Sequence, residues 1–196
     1  MCSDFAKLVD DSPLRECWKF WLSRRDGQNV PLKRSIDPVE MPIRILPHLF
    51  LYERTPENRF LCRLAGTGVC AMFDSDPTGR HLDELIPTWG RASRISLFEE
   101  TLNRQRPVVY EGHIAEPGRE WVPFLRLLLP ISSNGTAVDM VFGMVVPRST
   151  DAFLRPASPE LGNLGAVAYA EDQDLAVGGR ALPATAPGAD SLFRAS

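Results

Sequence analysis

The sequence predicts an α+β fold, in which a five-stranded antiparallel sheet carries short helices on one face and an N-terminal amphipathic helix precedes it. Three observations predict this. Two β-like stretches, 49–53 and 59–65, flank a segment of turn composition; a Gly- and Pro-punctuated region and one helical stretch follow; three further β-like stretches close the pattern around an Asn-Gly pair. With 196 residues, 44% of them hydrophobic, the chain can bury one sizeable core, which predicts one domain with extensions.

After a polar start, Asp10 and Asp11 precede Ser12 and Pro13, an N-cap and a first-turn proline, with acidic charge at the positive end of a helix. Leu14, Trp18, Trp21 and Leu22 then follow helical spacing, and Gly27 marks the helix end. Residues 28–36 read as a linker. Asp37-Pro38-Val39-Glu40 opens a second, short helix, with Asp37 as cap and Glu40 placed to reach back, and Pro47 stops it. Between residues 66 and 89, Gly66, Gly68, Pro77, Gly79 and Pro87 predict one-turn helices and loops. Ile95, Phe98 and Leu102 keep helical spacing over residues 91–106, where Glu100 and Arg104 can pair and Pro107 ends the helix.

Strands are predicted over 108–115, 121–131 and 137–146. Ser133-Asn134-Gly135 joins the last two, and an Asn-Gly there predicts a type I′ turn with positive φ at both central residues. Both strands are almost continuously apolar, so both faces of the sheet should be covered, one of them by the Trp-bearing helix unless that helix packs on a second copy. The resulting division is an N-terminal helix and linker over 1–33, a domain over 34–147 and a tail over 148–196. Ala, Gly and Pro supply 20 of the 47 residues from 150 to 196, which predicts a mostly disordered tail with a weak helix near 161–175.

Bulk properties exclude several functions. A formal net charge of −3 gives no field to attract nucleic acid. Cys2, Cys17, Cys62 and Cys70 lie far apart without zinc-site spacing, so no metal is expected. Neither a cleavable leader nor an apolar run of membrane-spanning length is present, so no membrane association and a cytoplasmic location with reduced thiols are expected. Phosphate loops, nucleophile elbows and paired metal ligands are missing, so no catalytic residues are assigned.

Ile45-Leu46-Pro47-His48-Leu49-Phe50-Leu51, Arg63-Leu64-Ala65-Gly66-Thr67 and Asp76-Pro77-Thr78-Gly79-Arg80 resemble a stand-alone bacterial PAS subfamily, as do Arg106-Pro107 and Leu127-Leu128-Leu129-Pro130. The resemblance covers about residues 34–147 and implies a PAS-like five-stranded antiparallel sheet over a pocket. It implies a sensory or protein-interaction module in bacterial signal transduction, with a small-molecule ligand, a signalling protein partner or a homodimer. Function varies widely among such domains. The tail is too short for a kinase, cyclase or DNA-binding output.

The cofactor is left unknown. Flavin is disfavoured because Cys70 stands in Gly68-Val69-Cys70-Ala71-Met72, where the light-sensing branch has Asn-Cys-Arg-Phe, and reads as a small apolar packing residue. Haem is disfavoured because His48, His81 and His113 carry no axial-ligand signal. Arg63, set in an alternating strand with apolar Leu61 and Ala65 on its own face, needs a partner there, either an anionic ligand or, as the favoured structural reading, an acid such as Asp83 or Glu84. Arg126 raises the same question: two inward arginines would suit a carboxylate, whereas two outward ones would merely be solvated. Phe73, Trp89, Tyr110 and Phe142 join His113 as candidate pocket residues, though aromatic residues at such spacing also serve as plain core. Leu14, Trp18, Trp21 and Leu22 are dimer-interface candidates. The alternative reading is a small α+β pocket enzyme of isomerase or lyase type using His113, Glu111 and Arg126.

Overall fold

The computed structural model describes residues 3–10, 12–113, 123–148 and 164–176. Strands β1 (Leu49–Arg54), β2 (Phe60–Ala65), β3 (Val108–His113), β4 (Pro123–Ile131), β5 (Met140–Pro147) and β6 (Leu164–Tyr169) form one antiparallel sheet ordered β2-β1-β5-β4-β3-β6. Helices α1 (Asp4–Val9) and α2 (Ser12–Ser23) cover one face, and α3 (Thr67–Phe73), α4 (Leu82–Leu85) and α5 (Thr88–Arg104) cover the other.

Side-chain alternation divides the core in two. On β4, Leu125, Leu127, Leu129 and Ile131 meet the N-terminal helices, whereas Phe124 and Leu128 meet α3–α5. On β5, Met140, Phe142 and Met144 take the first face, and Val141 and Val145 the second. A strand buried on both faces has no polar side to show, which is why β4 and β5 read as continuous apolar runs.

Trp21 is fully buried and donates its indole N–H to the Pro130 carbonyl at 2.9 Å, locking α2 onto β4. Trp18 stacks on Trp21 with ring centroids 5.4 Å apart, and Phe5 of α1 meets Trp18 edge-on at 5.1 Å. The amphipathic helix therefore covers its own sheet. Leu14, Trp18 and Trp21 are buried there and Leu22 packs against the same cluster, so these four do not present a free face for a second copy.

Three local expectations change. The loop from Ser132 to Asp139 is longer than a two-residue turn: Gly135 alone has positive φ (87°), while the Asn134 side chain accepts from the backbone N–H of Thr136 and of Ala137. Asp37 does cap a short 3₁₀ turn, Pro38–Glu40, by accepting from the Val39 N–H, but Glu40 pairs with Arg24. The sheet has six strands, since residues 164–169, expected within a disordered tail or weak helix, form β6 against the outer edge of β3. Leu164, Ala168 and Ala170 are buried there, and one turn of helix, α6 (Asp172–Leu175), follows. Burial against a pre-formed edge supplies what the segment's composition lacks. Residues 149–163 and 177–196, Asp11, and the predicted strand start at Trp121 lie outside the described residues.

The sequence motifs map to a corner of the scaffold. Gly66 donates to the Leu49 carbonyl at 2.8 Å, and a Cβ there would come within 2.3 Å of the Pro47 carbonyl oxygen, so only glycine permits this approach. Asp76 accepts from the Thr78 N–H, closing a turn whose Gly79 N–H and Arg80 carbonyl bond back to Cys62 of β2. That turn brings Ser75 and Pro77 over the sheet.

Candidate ligand-binding site

Between β3, β4 and helices α3–α5 lies a cavity of about 120 Å³. Val69, Phe73, Leu82, Leu85, Ile86 and Phe124 give it apolar walls, and Tyr52, Ser75, Arg94, His113 and Arg126 contribute polar groups. No carboxylate lines it among the described residues.

Arg126 is 7% exposed and stands on the central strand, opposite Tyr110 in the β3–β4 ladder. Its guanidinium lies 5.2, 5.4 and 5.6 Å from the ring centroids of Phe50, Phe73 and Phe124, and Nη1 donates to the Tyr110 hydroxyl at 3.3 Å. Ring faces attract a cation but do not neutralise it. Arg94, 6% exposed, reaches in from α5, donates Nη2 to the His113 carbonyl at 3.3 Å and lies 5.9 Å from the Trp89 ring. The Nε of both arginines is buried without a hydrogen-bond partner. Burial holds Arg94 below the usual arginine range; the nearby Arg126 charge adds to this, and Tyr110 opposes it. Two cations thus share a largely apolar space, an arrangement that is costly while no anion accompanies them.

Of the residues singled out from sequence, Arg126, Phe73 and His113 line the cavity, and Tyr110 sits behind the wall, bonded to Arg126. Trp89, at 53% exposed, lies outside, touching the site through Arg94. Phe142 belongs to the opposite face, because alternation along β5 turns it toward α2. Arg63 is not inward. A bulge between β1 and β2 skips it in the pairing, and it is exposed and bonded to Glu53 across the hairpin. Asp83 and Glu84, offered as its partners, instead hold Arg59 at 2.8 and 2.7 Å.

Cys70 is partly buried on α3, where desolvation and the neighbouring Asp76 push its thiol upward, away from the thiolate a reactive cysteine needs. Glu111 pairs with Arg148 and is not among the cavity residues, so the His113, Glu111 and Arg126 set of the enzyme reading does not converge. Among the described residues, no cluster of three or more His, Cys, Asp or Glu is set to hold a metal, and no helix is long and apolar enough to cross a membrane.

Arg94 escaped sequence reasoning, as did Tyr52 and Phe124. The signal for Arg94 was helical spacing: Arg94, Leu97, Phe98, Thr101 and Leu102 form one buried stripe of α5 with a cation at its first position.

No curated protein matches the chain. A family model described as a PAS domain matches residues 9–146, which takes in α2 as well as β1–β5 and so begins well before residue 34. That match spans well over half of the sequence and the whole cavity-bearing scaffold, and the chain belongs to the PAS domain family.

Proposed function

We propose that this PAS domain is a sensory module that reports the occupancy of the cavity between the sheet and α3–α5 by a small molecule, without a catalytic step of its own. The observation that carries the reading is the cavity itself: Trp18 and Trp21 pack directly against the α2 side of the sheet, whereas a space lined by Arg94, Arg126 and apolar side chains lies between the sheet and α3–α5. A void of about 150 Å³ accommodates benzene, so one of about 120 Å³ suits a molecule of a few heavy atoms and is too small for a flavin ring system or a haem. Family membership supports a sensory or interaction role in general.

Native mass spectrometry and an absorption spectrum of the purified protein test this, together with the cavity-filling variant Leu82→Trp. A colourless protein carrying a small mass increment, lost in L82W, is the expected result. A coloured sample would point to a chromophore instead. An unliganded protein whose melting temperature responds to no small molecule would leave a protein-interaction scaffold.

A further inference from the structure

We infer that the cavity's ligand is a small organic carboxylate, held between Arg126 of β4 and Arg94 of α5 with its hydrocarbon body against Phe73, Leu82, Ile86 and Phe124. The inference rests on the reading of this cavity as the ligand site and adds the chemical class. Three features select that class. Arg94 and Arg126 are buried residues, 6% and 7% exposed, that line the cavity, and each keeps an Nε without a partner. The described lining has no Asp or Glu to neutralise them, which leaves room for a bound anion to supply the balancing charge. The planar fork of a guanidinium matches a carboxylate, and two forks from different elements can share its two oxygens.

Wall chemistry narrows the choice further. An inorganic anion such as phosphate needs polar contacts on every side, and this cavity sets apolar side chains opposite its polar groups, with slightly more apolar than polar surface. A carboxylate on a short aliphatic body satisfies both halves of the site. A purely apolar ligand would leave the two charges as they are.

Such a ligand also has a mechanical effect. Arg94 belongs to α5 and bonds the carbonyl of His113 at the end of β3, and Arg126 belongs to the central strand. A carboxylate between them ties the helix to the sheet and replaces repulsion between two cations by attraction of both to one anion. Trp89, against the outer side of Arg94, is placed to report the change.

The test is thermal melting and Trp fluorescence of the full chain, dialysed and titrated with propionate and butyrate, with propionamide and butyramide as neutral matches, butylamine as a cation and inorganic phosphate as a small anion. At least one carboxylate should raise the melting temperature and bind ten- to a hundredfold more tightly than its amide, with butylamine and phosphate weaker than either. Binding should be lost in Arg126→Gln, weakened at least tenfold in Arg94→Gln and abolished in L82W; far-UV circular dichroism checks the fold of each variant. The wild-type comparison of carboxylate with amide needs no variant. Equal binding of carboxylate and amide, both lost in L82W, would overturn the carboxylate class yet keep the cavity as a ligand site. Phosphate binding as tightly as the carboxylates would also overturn it. Carboxylate binding undiminished in L82W would place the anion elsewhere and overturn both readings.

Discussion

The two faces of the sheet are built from the same strands and differ in what they bury. On the α2 side every side chain of β4 that faces the helix is aliphatic, and the aromatic residues that meet it stack or cross edge to face. On the α3–α5 side the position between Phe124 and Leu128 is Arg126, a second arginine comes from α5, and a cavity remains. The first face is organised for stability. The second retains unbalanced charge in apolar surroundings, which costs stability in the absence of a ligand and can be recovered by binding one.

Substitutions on the two faces should therefore differ in sign. Trp21→Ala removes the largest buried side chain and its bond to Pro130, and a loss of about 3–5 kcal/mol is expected in urea denaturation. An intermediate effect is expected at the shared corner, where the Cβ of Gly66→Ala would strike the Pro47 carbonyl; a loss of roughly 1–3 kcal/mol should appear with an unchanged denaturant slope. Arg126→Met should go the other way, stabilising the dialysed protein by about 1–2 kcal/mol once the desolvation of an unpaired cation outweighs lost ring contacts. A marked loss in that variant would break the contrast, since it would mean the charge already has a compensating partner.

The smallest effect belongs to the surface. Arg59→Met breaks the pairs with Asp83 and Glu84 and should cost the least of these variants at pH 7, because the pairs are exposed to solvent. The Arg59 hydrogen bonds hold both carboxyls below their ordinary values. A carboxylate depressed in the folded state stabilises above its unfolded pKa, about 4, and loses that contribution as pH falls through the folded value. The difference between wild type and R59M should accordingly shrink from pH 7 toward pH 3, measured by denaturant titration at both.

Much of the scaffold was legible because it follows from periodicity. Continuous apolar runs marked strands covered on both faces, and Leu14, Trp18, Trp21 and Leu22 marked the helix that covers one of them. Arg126 was visible as a lone charge inside an apolar strand. Arg63 looked the same and misled, because the alternation that turns Phe60 and Cys62 into the core turns Arg63 to the other face, on a strand at the sheet's edge. Arg94 was passed over among the charged residues of α5, although its spacing to Leu97, Phe98, Thr101 and Leu102 places it on the buried stripe. β6 was illegible: Leu164, Gly165 and Ala166 have little strand preference, and the pairing that makes them a strand comes from β3, more than fifty residues earlier.

That sixth strand gives the fold an outer boundary that family similarity does not mark. The similarity ends at residue 146, but β3 is an interior strand only because β6 lies beside it, and the buttress extends to both ends of the described chain: Ser3 bonds Asp174, and Arg25 bonds the Leu175 carbonyl. A fragment cut after Pro147 would bare the hydrogen-bonding edge of β3 and the apolar surface under Leu164 and Ala168. Such an edge invites pairing with another copy. Self-association of that fragment would be a product of where the chain was cut.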